Sequence, residues 1–284
     1  MWKSLVFILE CTKEEEKGIL ELKEVFEKQG IVVRAYGKER GWKLLQEDSL
    51  QQFFFVGEMV LVTNDSMIGR EALLRGIAVL GYEREGEFLS GISYITQSLE
   101  ELSVSYVKRV YCRFHDLPVQ IQETQRLWIR EMIEEDAEEF FRMQREEDIS
   151  QVMERRRRCV EEERAFIKEY RKNQYAFYEF GFFSIIEKET GKLIGKVGVE
   201  EHNREGKNDL ELGYWIEKNK RRMGYAYEAG DAVLKFLKEE LEFSGEICCF
   251  VQPENMASLK TAQKLGFLKT EQIADKCYRC VCML

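Results

Sequence analysis

Proline and histidine are nearly absent from this chain of 284 residues, which carries two of each. With only His115 and His202 available, a histidine-built metal centre or a histidine-activated nucleophile has little to draw on. Long apolar runs are missing too: none approaches the ~20 residues of a membrane span, and Ser4 to Leu9 is too short for a signal core and is followed by acids. Those two absences make a membrane partner unexpected and place the protein in the cytoplasm. A continuous basic face is also lacking. Lys and Arg are interleaved with acids, and the net charge is −9, which argues against nucleic acid as a partner.

What the chain does have suits a soluble protein of two domains: 44% hydrophobic, 12% aromatic and 33% charged residues. Its eight cysteines, Cys11, Cys112, Cys159, Cys248, Cys249, Cys277, Cys280 and Cys282, are scattered through apparent strands and helices, so they are expected to be reduced thiols. Cys277-Tyr-Arg-Cys280 has the gap of a metal knuckle, but no second pair follows at zinc spacing. The expectation is no metal, with these residues as small apolar members of a closing strand. No histidine stands near Cys248 or Cys249 in sequence to make a thiolate nucleophile.

The first half alternates strand-like and helix-like stretches. Leu5 to Leu9 reads as a strand, Glu14 to Gln29 as a helix with Ile19, Leu22 and Phe26 on one face, and Ile31 to Ala35 as a strand. Val60 to Thr63, Ser66 to Arg75 and Ile77 to Leu80 continue as strand, helix and strand. Ser98-Leu-Glu-Glu101 has capping-box spacing and predicts a helix start. The alternation implies an N-terminal three-layer parallel α/β domain, residues 1–120. Leu117 to Arg126, holding one of the prolines, reads as a linker to a second domain over 126–284.

In the second half, the apolar strand Leu210-Glu-Leu-Gly-Tyr-Trp-Ile216 runs into Arg221-Arg-Met-Gly-Tyr-Ala226, and Ala226, Ala229, Val233, Phe236 and Leu237 then recur at helical spacing. A strand, a glycine-bearing turn and a helix whose first N–H groups are unpaired can hold a pyrophosphate. Gly224 lets backbone approach a phosphate, and small Ala226 lets the helix sit close to its strand. Downstream come a buried strand, Ile247 to Val251, then Pro253-Glu-Asn255, Ser258 and Lys264-Leu-Gly-Phe267. Upstream lie Leu127-Trp-Ile-Arg130 before Glu134-Glu-Asp136, and Gly191-Lys-Leu-Ile-Gly195-Lys-Val-Gly198.

As an ordered set these segments resemble the GNAT acyltransferases, whose acyl-CoA loop Q/R-x-x-G-x-G/A is matched by Arg221, Gly224 and Ala226. The N-x-x-S and K-L-G-F segments match the family at its expected spacing, and Asn255 and Ser258 look like its ribosomal-protein acetyltransferase branch. The resemblance implies an α+β mixed sheet in this half and an acetyl-CoA-dependent N-acetyltransferase acting on a peptide or small amine. It places the donor's phosphates on Arg221, Arg222, Met223, Gly224, Tyr225 and Ala226. The pantetheine arm would lie along Trp215 and Ile216, where two strands splay apart in the family. Asn255 and Ser258 resemble the pair that contacts cofactor near the sulfur; a turn and a helix cap account for them equally well. Ala262 stands where many members carry the tyrosine that protonates the leaving thiolate, leaving Ser258, Asn255 or water.

An alkylammonium resembles lysine, with a pKa of ~10.4, so a base must relay its proton. Glu211 is the leading candidate, with Glu200 and Glu201 as alternatives, of which strand alternation lets only one face the cleft. Arg155 to Arg158, flanked by acids, reads as a solvated helix with i,i+4 ion pairs or, as in GNAT folds, as a wall of the acceptor groove.

The first half looks like a small HAD-like fold in Val60-Leu-Val-Thr-Asn-Asp65 and Gly76 to Tyr82. A phosphatase of that family needs an aspartate pair after its first strand, and Leu9-Glu10-Cys11-Thr12 stands there instead, so a structural, ligand-sensing or homodimerising role is expected. Asp65 then reads as a capping residue. The rival readings are an acyl-CoA-binding module without turnover and a phosphatase centred on the first half.

Overall fold

Strands that are buried at every position need cover on both faces. Ser4–Leu9 (β1), Met59–Thr63 (β3) and Ala78–Tyr82 (β4) are buried along their whole length. The computed structural model describes residues 2–46, 56–145, 157–204, 207–272 and 277–284. It divides into two compact units, Met1–Leu117 and Pro118–Leu284.

In the first unit, β1, β3 and β4 join Val32–Gly37 (β2) and Ile95–Thr96 (β5) in a wholly parallel sheet of order β2-β1-β3-β4-β5. Among the described residues four helices cover it: Lys13–Lys28 (α1), Lys38–Gln46 (α2), Ser66–Leu74 (α3) and Val104–Phe114 (α4). Val6, Ile8, Leu61 and Val79 pack with Leu45 of α2 and with Ile68 and Ala72 of α3. On α1, Ile19, Leu22 and Phe26 form the buried stripe expected from their spacing. Thr12 opens α1 with a reciprocal capping box, its hydroxyl accepting from the Glu15 N–H while the Glu15 carboxylate accepts from the Thr12 N–H.

One expected helix start is corrected. Ser98 to Glu101 forms a turn, because the Ser98 N–H and carbonyl are engaged by the Thr96 hydroxyl. The helix begins at Val104, capped by Ser103, whose hydroxyl accepts from the Tyr106 N–H at 3.1 Å.

The second unit is one sheet of eight strands, ordered β12-β13-β11-β10-β9-β8-β7-β6. In chain order they are Gln120–Glu123 (β6), Leu127–Glu131 (β7), Phe182–Glu187 (β8), Leu193–Arg204 (β9), Lys207–Ile216 (β10), Glu246–Val251 (β11), Leu268–Gln272 (β12) and Tyr278–Met283 (β13). The stretch expected to be a linker therefore contains a strand: β6 pairs antiparallel with β7 despite its polar sequence, as an edge strand can with one face in water. Every pairing is antiparallel except β10 with β11.

Ala137–Gln144 (α5) and Val160–Tyr170 (α6) lie on one face of this sheet, where Phe140 of α5 meets Trp215 of β10 at 5.6 Å. Tyr225–Glu239 (α7) and Met256–Lys264 (α8) lie on the other. There α7 buries Ala229, Val233, Phe236 and Leu237, and the Phe236 ring meets Phe183 of β8 at 5.9 Å.

Candidate functional site

The antiparallel ladder of β9 and β10 runs unbroken from Lys207↔Arg204 to Ile216↔Gly195. On its other edge β10 meets β11 at a single registered pair, Glu211↔Cys248. From Leu212 to Ile216, β10 is thus not laddered to β11, and a strand edge that lacks its neighbour can accept an extended ligand. Trp215 and Ile216 lie at the far end of this opening.

Beyond Ile216 the chain makes a short 3-10 turn, Lys218–Lys220, and then starts α7 at Tyr225. Two residues of the loop have left-handed backbone, Arg222 with φ 63° and Gly224 with φ 83°. Gly224 is the N-cap, and no side chain caps the helix, so its first N–H groups remain open to an anion. The nearest atom that a Cβ on Gly224 would meet is Nη2 of Arg126, at 3.4 Å, which puts a guanidinium beside that turn. Arg222, Met223 and Gly224 are exposed, Ala226 is half-buried, and Arg221 folds back to donate from Nε to the Ile216 carbonyl at 2.9 Å.

The loop is braced by residues that its own sequence does not reveal. Arg126 donates to the Met223 carbonyl at 2.9 Å, pairs with Glu228 of α7 at 2.6 Å, and stacks over the Tyr225 ring at 4.4 Å. The buried Glu187 carboxylate, at the end of β8, accepts from Lys220 at 2.7 Å, from the Tyr225 hydroxyl at 2.7 Å and from Thr190 at 2.7 Å. Those donors, Lys220 foremost, hold its pKa down from 4.5 to about 2.

On the α5 and α6 side of the sheet, register sets one row of side chains. Glu200 and Glu211 are partners across β9 and β10 and so stand on the same face, next to Cys248. The Tyr170 hydroxyl donates to Glu200 and accepts from the Phe182 N–H at 2.7 Å, and burial pushes its pKa far up, so it stays protonated. Glu201 is exposed and pairs with Leu210, so alternation puts Glu200 and not Glu201 in this row. Burial, with Asp209 and Glu211 nearby, pushes the Cys248 thiol up to about 12, far from a thiolate nucleophile at neutral pH. Cys249 and Cys280 oppose each other across β11 and β13, and no metal-binding group of three or more ligands occurs among the described residues.

On the α7 and α8 side, Asn255 caps α8, its side chain accepting from the Ser258 N–H at 3.1 Å. Ala262 is buried. The Tyr214 hydroxyl lies within hydrogen-bonding reach of Ser258 and Thr261, linking β10 to α8, and burial raises its pKa. Tyr214 escaped the sequence reading, although its place in the strand beside the opening was the available signal. Arg155 and Arg156 lie outside the described residues. Arg157 sits over the Phe166 ring at 3.9 Å, and the acids Glu161 to Glu163 occupy the first turn of α6.

The sequence pattern of the Acetyltransferase (GNAT) domain matches residues 126–268, half of the chain. Among curated proteins, the uncharacterised protein YkkB of Bacillus subtilis is 32% identical over 80 residues, 28% of this chain and 46% of that protein. The uncharacterised N-acetyltransferase YnaD of the same organism is 30% identical over 95 residues, 34% of this chain and 54% of that one. The chain thus spans about half the length of the curated relatives it matches. Among solved structures, a ribosomal-protein-S5-alanine acetyltransferase from Vibrio fischeri aligns with a TM-score of 0.47 at 17% identity, over 59% of this chain and 97% of that one. With strand opening, glycine turn and helix in the family's order and the family pattern spanning them, the chain belongs to the GNAT acetyltransferase family.

Proposed function

We propose that the protein is an acetyl-CoA-dependent N-acetyltransferase that passes the acetyl group directly from the thioester to an amine, a peptide or a small amine. The observation that carries this reading is the single-pair junction of β10 and β11 leading into an uncapped helix N-terminus at Gly224. In this reading the turn from Arg221 to Ala226 receives the pyrophosphate, with Arg126 and Arg222 supplying positive charge, and the pantetheine amides extend the sheet along Trp215 and Ile216. A backbone N–H at the same opening stabilises the tetrahedral oxyanion.

Glu211, the registered partner of Glu200 at the root of the opening, takes the proton of the attacking amine, through water where reach requires it. As the C–S bond breaks, the thiolate takes a proton from the α8 side. The hydroxyl of Ser258, or Tyr214 beside it, stands where Ala262 offers none. Asn255 acts as the cap that sets Ser258 in place. Much of the rate comes from holding both reactants together. Resemblance to the ribosomal-protein branch favours a peptide or small amine as acceptor, and YnaD is named an uncharacterised N-acetyltransferase.

For the first unit we propose a HAD-like scaffold without phosphatase chemistry, a cytoplasmic accessory that could support a homodimer. Glu10 follows β1, where that chemistry needs an aspartate. The Asp65 carboxylate is occupied by the Met67 and Ile68 N–H groups and by Lys38 at 2.5 Å.

Release of CoA, followed by chromatography because protein thiols react with thiol reagents, tests the proposal over a panel of peptides, polyamines and small amines. Amine-dependent release above a heat-killed control is expected. A raised melting temperature with acetyl-CoA but no release with any amine would favour a module that holds acyl-CoA without turnover.

A further inference from the structure

Lys196, on β9, is the registered partner of Trp215 and faces the same side of the sheet as Glu200 and Glu211. It is half-buried, and among the described residues its ammonium makes no hydrogen bond and no ion pair. Its neighbours are rings: Nζ lies 4.2 Å from the Phe182 centroid and 6.0 Å from that of Trp215. A lysine taken from water is normally given a carboxylate. The carboxylates nearest in effect, Glu200 and Glu163, are bound elsewhere, to Tyr170 and to Gln144 respectively.

The ring that holds this ammonium is itself fixed in place. Phe182 is anchored at its N–H by Tyr170 and at its carbonyl by the Tyr175 hydroxyl. It extends over Gly213 of β10, where a Cβ would come within 2.9 Å of Cζ. Phe182 therefore reaches across β9 onto the strand whose far edge is open, and Lys196 lies between that ring and Trp215. Burial lowers the ammonium pKa from the usual lysine value, with Arg157 adding to the effect and Glu200 and Glu163 opposing it.

We infer that Lys196 is an acetyl acceptor within the protein itself, modified by donor bound at its own site when no external amine is present. The inference rests on the acetyltransferase reading. In the step, the Lys196 amine attacks the thioester carbonyl carbon, a C–N bond forms and the C–S bond breaks. The proton shed by the new amide nitrogen goes to the departing thiolate, giving acetyl-lysine and free CoA. The product is longer and uncharged, and it occupies the face at which an acceptor amine must arrive, so the modification would also slow turnover.

The test incubates the full chain with acetyl-CoA and no amine, reads intact mass and maps the modified peptide, with melting temperature recorded alongside. One acetyl group is expected, on Lys196, and none on Lys196→Arg or on Gly224→Trp, whose indole blocks the phosphate turn. A raised melting temperature in the wild type with an unmodified Lys196 peptide would overturn the inference alone. So would equal Lys196 acetylation in Gly224→Trp, which would mark solution chemistry. An unchanged melting temperature and no acetylation would remove the acetyltransferase reading and this inference together.

Discussion

Glu187 lies at the end of β8, outside the glycine loop, yet it ties Lys220 and Tyr225 to the rest of the sheet. Glu187→Gln is expected to cost about 2 kcal/mol, roughly 5 °C in melting temperature, because it leaves a lysine and a tyrosine with a weakened partner. Acetyl-CoA affinity should fall with it. The pH dependence has a definite sign. A carboxyl lowered from 4.5 to about 2 contributes its full stability above 4.5 and loses it as pH falls toward about 2. The gap in melting temperature between wild type and Glu187→Gln should therefore be widest near neutrality and close in acid; a constant gap would refute the assignment. At the other face, Glu211→Gln should lower kcat by about 100-fold with little change in acetyl-CoA binding, as loss of a general base does; wild-type kcat would remove Glu211 from that role. The turn itself was legible in the sequence, since Gly224 before an apolar-periodic helix has a mechanical reason, and it sits in left-handed backbone as the N-cap of α7. Arg126 and Glu187 were not, because what brings them to the loop is strand register and sheet order, which local pattern does not encode.

Between elements, two close approaches fix how β8 lies against β9. A Cβ on Gly198 would stand 2.0 Å from the Gly181 carbonyl oxygen and 2.4 Å from the Phe182 Cα, both backbone atoms that cannot move aside. Gly198→Ala should cost at least about 2 kcal/mol and shift Phe182, measurable as a lower denaturation midpoint with weakened acceptor turnover; wild-type stability would contradict the placement of β8 on β9. The strands and helices themselves were largely readable from periodicity: α1 buries the residues whose spacing announced them, and α7 buries all of its own but the half-buried Ala226. Ser98 misled because a capping-box pattern specifies a helix only where the preceding backbone is free, and Thr96 had already engaged it. The segment from 117 to 126 misled in the opposite direction. Its polar residues read as linker, whereas an edge strand needs only one apolar face, here Val119 and Ile121.

For the molecule as a whole, the family pattern and every residue placed at the candidate site lie within Pro118–Leu284. A chain of residues 118–284 is accordingly expected to fold and to bind acetyl-CoA within about threefold of the full chain, a difference below 1 kcal/mol; a much weaker affinity would show that the first unit helps to hold the donor. The strand and helix alternation of the first half was legible as a parallel α/β sheet. The acceptor was not, because it depends on how α5, α6 and the β8 to β10 face come together, which one sequence does not spell out.

Calorimetric titration of acetyl-CoA into the wild type and Gly224→Trp tests the donor site most directly. Saturable one-to-one binding to the wild type and its loss in the variant is the expected result, since an indole at that turn excludes a pyrophosphate from the N-terminus of α7. Equal affinity in the two proteins would contradict it.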